Sequence, residues 1–231
     1  MDSRRQKVCY HNTNVSLIEI FIVCWCLGSL YVVEIWSLFH TRKHARLVVY
    51  LLVLQSYFSL EFLNSWWYQP SSVTSQSFLI YGVRGNFAFW MMQCCSVVEY
   101  LMVGTGDYCF VGGVSAVGVF VAATGVLIRH LAMRQCGDSF SHYIATEKLH
   151  HKLTVDGIYG LSRHPSYLGF WLMTVGIEIL LHNAVNLVID IIALHFFFQQ
   201  RTRYEEAMLV KFYGDEYKRY QARVGVYIPF I

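Results

Sequence analysis

The sequence predicts an all-α integral membrane protein of about six transmembrane helices, the last two closing as a tight hairpin, with a C-terminal cytosolic helix beyond them. Three observations predict it. Of the 231 residues, 55% are hydrophobic and only 14% charged, with a mean hydropathy of +0.40; soluble domains carry about a quarter charged residues. The apolar residues gather in runs of membrane length or nearly so, and each crossing must be a complete helix because hydrocarbon offers the backbone no hydrogen-bond partner. Lys and Arg collect in the long linker and the tail, as the positive-inside rule requires of cytosolic segments. The 16 Tyr, 16 Phe and 6 Trp suit lipid-facing surfaces and interfacial belts. A net charge of +3 is too small and too dispersed for a nucleic-acid partner.

In chain order, the first 14 residues carry Asp2, Arg4, Arg5 and Lys7, and the apolar run after them lacks a small-residue cleavage signal, so the first span is expected to be retained. Full-length spans are read over residues 16–39, 47–68, 78–103 and 109–132. Two shorter runs follow, 167–181 and 184–198, parted only by His182 and Asn183, which forces the hairpin. Arg129, Arg134, Lys148, Lys152 and Arg163 mark the 129–165 linker as cytosolic, and Arg201, Arg203, Lys211, Lys218, Arg219 and Arg223 mark the tail likewise. Counting back puts the N-terminus on the same side and Arg42, Lys43 and Arg46 on the other, against the rule. The tail over 200–223 reads as a polar-faced helix with pairs at four-residue spacing, Arg201 with Glu205, Lys211 with Asp215 and Asp215 with Arg219. The seven cysteines, among them Cys24, Cys26, Cys94 and Cys95 in apolar runs, show no metal-ligand spacing and are read as reduced, buried thiols. The chain divides into N-terminal transmembrane helices over 1–128 and a region bearing the chemistry over 129–231.

The segment RHPSYLG, from Arg163 to Gly169, carries the sharpest signal. Pro165 disfavours helix at His164 and suits the first turn of the helix that follows, so a helix starts at the membrane surface. Its free N–H groups and partial positive charge suit an anionic or polar ligand, and Gly157 and Gly160 beside Tyr159 let backbone approach one closely. The plainer reading is an interfacial cap with a snorkelling Arg163 and an aromatic anchor at Tyr167. Arg201 and Glu205 share a helical face; alone they are a solvated ion pair, but they emerge on the same side of the hairpin as the RHPSY cap. Glu34, Glu61, Glu99, Glu178 and Asp190 lie in or near apolar runs, where acids are either functional or bound between helices; Glu99 and Glu178 are candidates for shaping an acceptor cavity. His142, His150, His151 and His164 make no recurring ligand spacing, so no metal is expected.

GIYGLSRHPSYLGF, FFFQQRTRYEEAML, YGDEYKRYQARV and the final PFI together resemble the isoprenylcysteine carboxyl methyltransferase family, over roughly 129–231. RHPxY before a hairpin is shared with phospholipid N-methyltransferases and membrane sterol reductases; the RTxxEE and GxEYxxY blocks narrow it. The resemblance implies a multi-pass enzyme of the endoplasmic reticulum membrane, its active site facing the cytosol and completed by the C-terminal helix. It would move a methyl group from S-adenosyl-L-methionine, leaving S-adenosyl-L-homocysteine, to the C-terminal α-carboxylate of a farnesylated or geranylgeranylated cysteine in CaaX proteins such as small GTPases. It implies cofactor contacts from His151, Lys152, Leu153, Thr154, Tyr159, His164, Pro165, Ser166, Tyr167 and Glu205, substrate contact and catalysis from Arg201, and a catalytic Arg129 close to the reacting groups. Arg129, Ala132, Met133, Phe140 and His142 match a further family block. Ala145 stands where relatives often carry a cofactor-contacting glutamine.

A C-terminal carboxylate, with a pKa of about 3.5, is already anionic at neutral pH and can attack a sulfonium methyl without a general base. The protein must supply alignment, and Arg201 or Arg129 can orient the carboxylate bidentately. Two rivals stay open: phospholipid N-methylation, with Arg201 on the phosphate, and a non-enzymatic membrane protein with an incidental cap. The chain ends IPFI and carries no CaaX signal, so it is not expected to be its own substrate.

Overall fold

The structure, a computed structural model, describes residues 17–40, 44–70, 73–81, 86–103, 112–142, 144, 153–229 and 231. These form seven α-helices: α1 (Leu17–His40), α2 (Ala45–Tyr68), α3 (Asn86–Val103), α4 (Gly113–Cys136), α5 (Pro165–Leu181), α6 (Ala184–Tyr213) and α7 (Asp215–Gln221). No strand occurs among the described residues. Leu17–His40, Ala45–Tyr68 and Gly113–Ser139 are long and apolar enough to cross a bilayer, while Phe87–Val103 and Pro165–Leu181 are shorter apolar helices.

α1 leaves Phe21, Trp25 and Phe39 exposed, side chains that only lipid would cover. Two polar contacts tie it to α2: Tyr31 donates to Ser56 (3.1 Å), and Gln55 to the Leu27 carbonyl (2.8 Å). The core lies between α2 and α5, where Tyr50, Leu54, Tyr57 and Phe58 meet Met173, Ile177 and Leu180, with Ala122 of α4 and Tyr100 of α3 at the sides.

α4 and α5 touch backbone to backbone. A methyl group added at Gly118 would lie 2.3 Å from the Leu180 nitrogen, at Gly125 2.4 Å from that of Met173, and at Gly176 2.3 Å from that of Ala122. The pairing runs antiparallel, and seven-residue spacing keeps Gly118 and Gly125, like Gly169 and Gly176, on one face. Close packing of small residues replaces the hydrophobic drive that lipid cannot supply.

α5 ends at His182, whose left-handed backbone (φ 63°) donates its N–H to the Glu178 and Ile179 carbonyls. Asn183 reaches the Glu178 carboxylate and the Ser96 carbonyl, both at 2.9 Å, and Ser96 donates to Glu178 at 2.6 Å. Glu99 accepts the Val185 and Asn186 N–H groups at 2.9 and 2.7 Å, capping α6 from α3. Glu99 and Glu178 therefore secure the α5–α6 turn, and neither lines the cavity of about 430 Å³ beside the start of α5.

Three boundaries differ from the sequence reading. The span expected from residue 78 starts at Asn86, because Ser75–Phe78 forms a separate 3₁₀ turn with a reciprocal Thr74–Ser77 cap, followed by a left-handed Leu79 (φ 59°). α4 runs to Cys136, four residues beyond the expected end, and stops at Gly137 (φ 57°). The expected break between the last span and the tail helix is absent: α6 is one 30-residue helix, about 45 Å long, which stops at Gly214 (φ 57°). With Gly214 between them, Lys211 and Asp215 lie on separate helices and share no helical face, and Asp215 pairs with Lys218 (3.1 Å).

Candidate active site

Pro165 takes the first position of α5, where its missing N–H is no loss, and His164 is the N-cap. The His164, Tyr167 and Phe198 rings stack in sequence, with centroids 5.3 and 5.1 Å apart. Tyr167 donates to Glu205 and accepts from Arg201 Nε at 2.7 Å. Arg201 and Glu205 are thus bridged by a phenol from the neighbouring helix, which explains why they share a face without a direct ion pair among the described residues. Arg201 Nη2 also donates to the His142 carbonyl at 2.6 Å, and its guanidinium carbon lies 5.4 Å from the Tyr167 ring centroid.

Beyond the apolar stretch of α6, Glu206 accepts from Arg163 Nε (2.7 Å), His164 Nε2 (3.2 Å) and Gln221 (3.1 Å). Burial alone would raise its pKa, but the hydrogen bonds from His164 and Arg163 and their charge hold it at about 2. Arg163 further donates to the Gln221 and Val224 carbonyls, and its own N–H to that of Gly225 (2.9 Å), pinning the tail under the cap. Ile228 is buried against Leu194 and Phe198. Tyr159 donates to the Ala132 carbonyl (3.4 Å), and Tyr220 to that of Tyr159 (2.6 Å). Burial pushes the Tyr159 hydroxyl well above the ordinary phenol range, so it stays a neutral donor.

These groups wall a cavity of about 430 Å³. Its lining combines polar groups, Arg201, Glu205, His164, Tyr159 and Thr154, with apolar side chains drawn from α2, α3 and α6, Phe58, Phe89, Met92, Leu194, Phe197 and Phe198. The structure brings together Arg129, Leu153, Thr154, Tyr159, His164, Pro165, Ser166, Tyr167, Arg201 and Glu205 around this cavity. His151 and Lys152 lie outside the described residues, as does Ala145. Arg129 is committed to protein: Nε and Nη2 form a fork with Glu61, Nη1 donates to Ser166 at 2.8 Å, and the guanidinium carbon sits 5.5 Å from the Tyr57 ring centroid.

Sequence reasoning missed Glu206, although the RTRYEEAML block carries it beside Glu205. It also left Glu61 without a partner, and the apolar wall from α2 and α3 unassigned. A lone acid in an apolar run was the signal for Glu61.

A family model described as the isoprenylcysteine carboxyl methyltransferase (ICMT) family matches residues 116–211. Protein-S-isoprenylcysteine O-methyltransferase of Saccharomyces cerevisiae is 33% identical over 220 residues, covering 92% of this chain and 91% of the relative. Protein-S-isoprenylcysteine O-methyltransferase A of Arabidopsis thaliana is 36% identical over 167 residues, with 70% and 81% covered. A solved structure of the eukaryotic intramembrane Ras methyltransferase ICMT matches with a TM-score of 0.87 at 27% identity, covering 98% of this chain and 81% of that one. The chain belongs to the isoprenylcysteine carboxyl methyltransferase family.

Proposed function

We infer that this chain is an enzyme that methylates the C-terminal α-carboxylate of prenylated cysteine, with S-adenosyl-L-methionine as donor and farnesylated or geranylgeranylated CaaX proteins, small GTPases among them, as acceptors. One observation carries the reading: a single cavity whose lining joins polar groups at the α5 cap to aromatic, apolar side chains of the membrane helices. A water-soluble donor and a lipid-anchored acceptor need such a two-natured volume, and about 430 Å³ lies within the range of ligand pockets.

The donor side consists of Leu153, Thr154, Tyr159, His164, Pro165, Ser166, Tyr167 and Glu205, with His151 and Lys152 as further contacts. The fit rests on chemistry: Glu205 offers a carboxylate to an ammonium group, and the partial positive charge at the start of α5 favours a carboxylate. When bound, the donor supplies an electrophilic methyl group on a positively charged sulfur. Arg201, steadied by Tyr167 and the His142 carbonyl, is the residue that orients the acceptor carboxylate. Arg129, already forked onto Glu61, supports the wall beside the reacting groups. The apolar wall receives the prenyl chain and excludes water. Catalysis is alignment of an existing anion, so neither a general base nor a metal is required of these residues.

On this reading α1 to α4, with the hairpin of α5 and the apolar part of α6, make six spans, and the cavity opens at the cytosolic face of the endoplasmic reticulum membrane. Purified protein given labelled donor with a farnesylcysteine analogue or phosphatidylethanolamine tests the reading. Methyl transfer to the prenylcysteine is expected; transfer to the phospholipid alone overturns it.

A further inference from the structure

The mechanism does not use Glu61, yet this carboxylate, 2% exposed in α2, is deeply engaged. It accepts the Nε and Nη2 groups of Arg129 from α4 and, at 2.9 Å, a ring N–H of His142. The same His142 gives its backbone carbonyl to Arg201 Nη2 at 2.6 Å. Arg129 meanwhile donates to Ser166, one residue before Tyr167, which holds Arg201 Nε at 2.7 Å. Glu61, His142, Arg201, Tyr167, Ser166 and Arg129 therefore close a ring of contacts around one wall of the cavity.

We propose that Glu61 is a positioning residue for the acceptor-binding arginine: it holds the His142 ring, and so fixes the carbonyl that sets the direction of the Arg201 guanidinium. The proposal rests on the assignment of Arg201 to the acceptor carboxylate. Stability alone does not call for this arrangement, since apolar residues of similar volume generally serve a core as well as a buried ion pair. Residues 140–142 have no regular secondary structure, and His142 meets the core through this ring. Without that anchor the His142 carbonyl is free to shift, and Arg201 turns with it. Alignment of the attacking carboxylate is sensitive to displacements of this kind.

The test measures KM for a farnesylcysteine analogue and donor-site affinity by calorimetry with S-adenosylhomocysteine, in the full-length protein. Glu61→Gln is expected to raise the acceptor KM about tenfold while donor-site affinity stays within about twofold, and Glu61→Asp to recover part of the loss. His142→Ala is expected to give the same acceptor defect, and Glu61→Gln with His142→Ala to be no worse than either alone. If Glu61 only neutralises Arg129, then Glu61→Gln combined with Arg129→Gln restores the acceptor KM, which overturns the proposal. Should Glu61→Gln not fold, His142→Ala decides: an unchanged acceptor KM overturns the proposal. Arg201→Ala is the control on the assignment beneath it. An unaltered acceptor KM there removes Arg201 from the acceptor role, whereas a raised one beside unaltered Glu61→Gln and His142→Ala removes only the positioning role.

Discussion

Tyr167 holds both Arg201 and Glu205 through one hydroxyl, accepting from the first and donating to the second. Tyr167→Phe keeps the stacked rings but releases both groups, so donor and acceptor affinity should fall together, by about tenfold each for a charged hydrogen bond lost. Arg201→Ala should separate them: turnover drops about a hundredfold or more while S-adenosylhomocysteine binding by calorimetry stays nearly unchanged. Glu206 gives a prediction in pH. Its carboxyl lies at about 2 in the folded protein against an ordinary 4.5, so its contribution to stability is complete above 4.5 and is lost as pH falls toward 2. Glu206→Gln should flatten acid-induced unfolding in that window, followed by circular dichroism in detergent. The residues near the α5 cap were legible because Pro165 fixes a helix start wherever it occurs in such a pattern. The partner of Glu61 was not, because Arg129 lies 68 positions away and only the fold brings the two together.

At the scale of elements, the contact between α4 and α5 depends on missing side chains. Gly176→Leu or Gly125→Val would drive carbon into backbone less than 2.5 Å from the added Cβ, and neither helix can yield without opening the core. Either variant should lower the thermal midpoint by several degrees and reduce yield, read by fluorescence-detected chromatography on heated samples. A matched change at Gly113, where an added Cβ meets nothing within 4 Å, should be tolerated. Helix identity was readable from hydropathy, since length and apolar content decide a span. Helix ends were harder. The drop in hydropathy after Phe198 suggested a boundary, yet nothing from Gln199 to Arg203 breaks a helix, and α6 continues to the first glycine that can turn it, Gly214. The late start of α3 followed from a local cap among Thr74 and Ser77 that competes with helix, a signal masked by the apolar residues after it.

For the whole molecule, the cavity draws on both parts read from the sequence. The α2 and α3 residues Phe58, Phe89 and Met92 share the cavity with residues that follow Arg129, so a fragment beginning at residue 129 should lack activity even with its cap and tail intact. α6 has a further consequence. Leu194, Phe197 and Phe198 supply greasy lining and Arg201 a cation, and the same unbroken rod carries them all. The spacing between the greasy lining and the guanidinium is therefore a fixed gauge, one helical turn from Phe197 to Arg201, about 6 Å of rise, which on the proposed reading is the span from a substrate's lipid tail to its acid. A single alanine inserted after Gln199 would leave both stretches chemically whole but swing the guanidinium about 100° around the axis, so methyl transfer should be lost if Arg201 is what catches the acid.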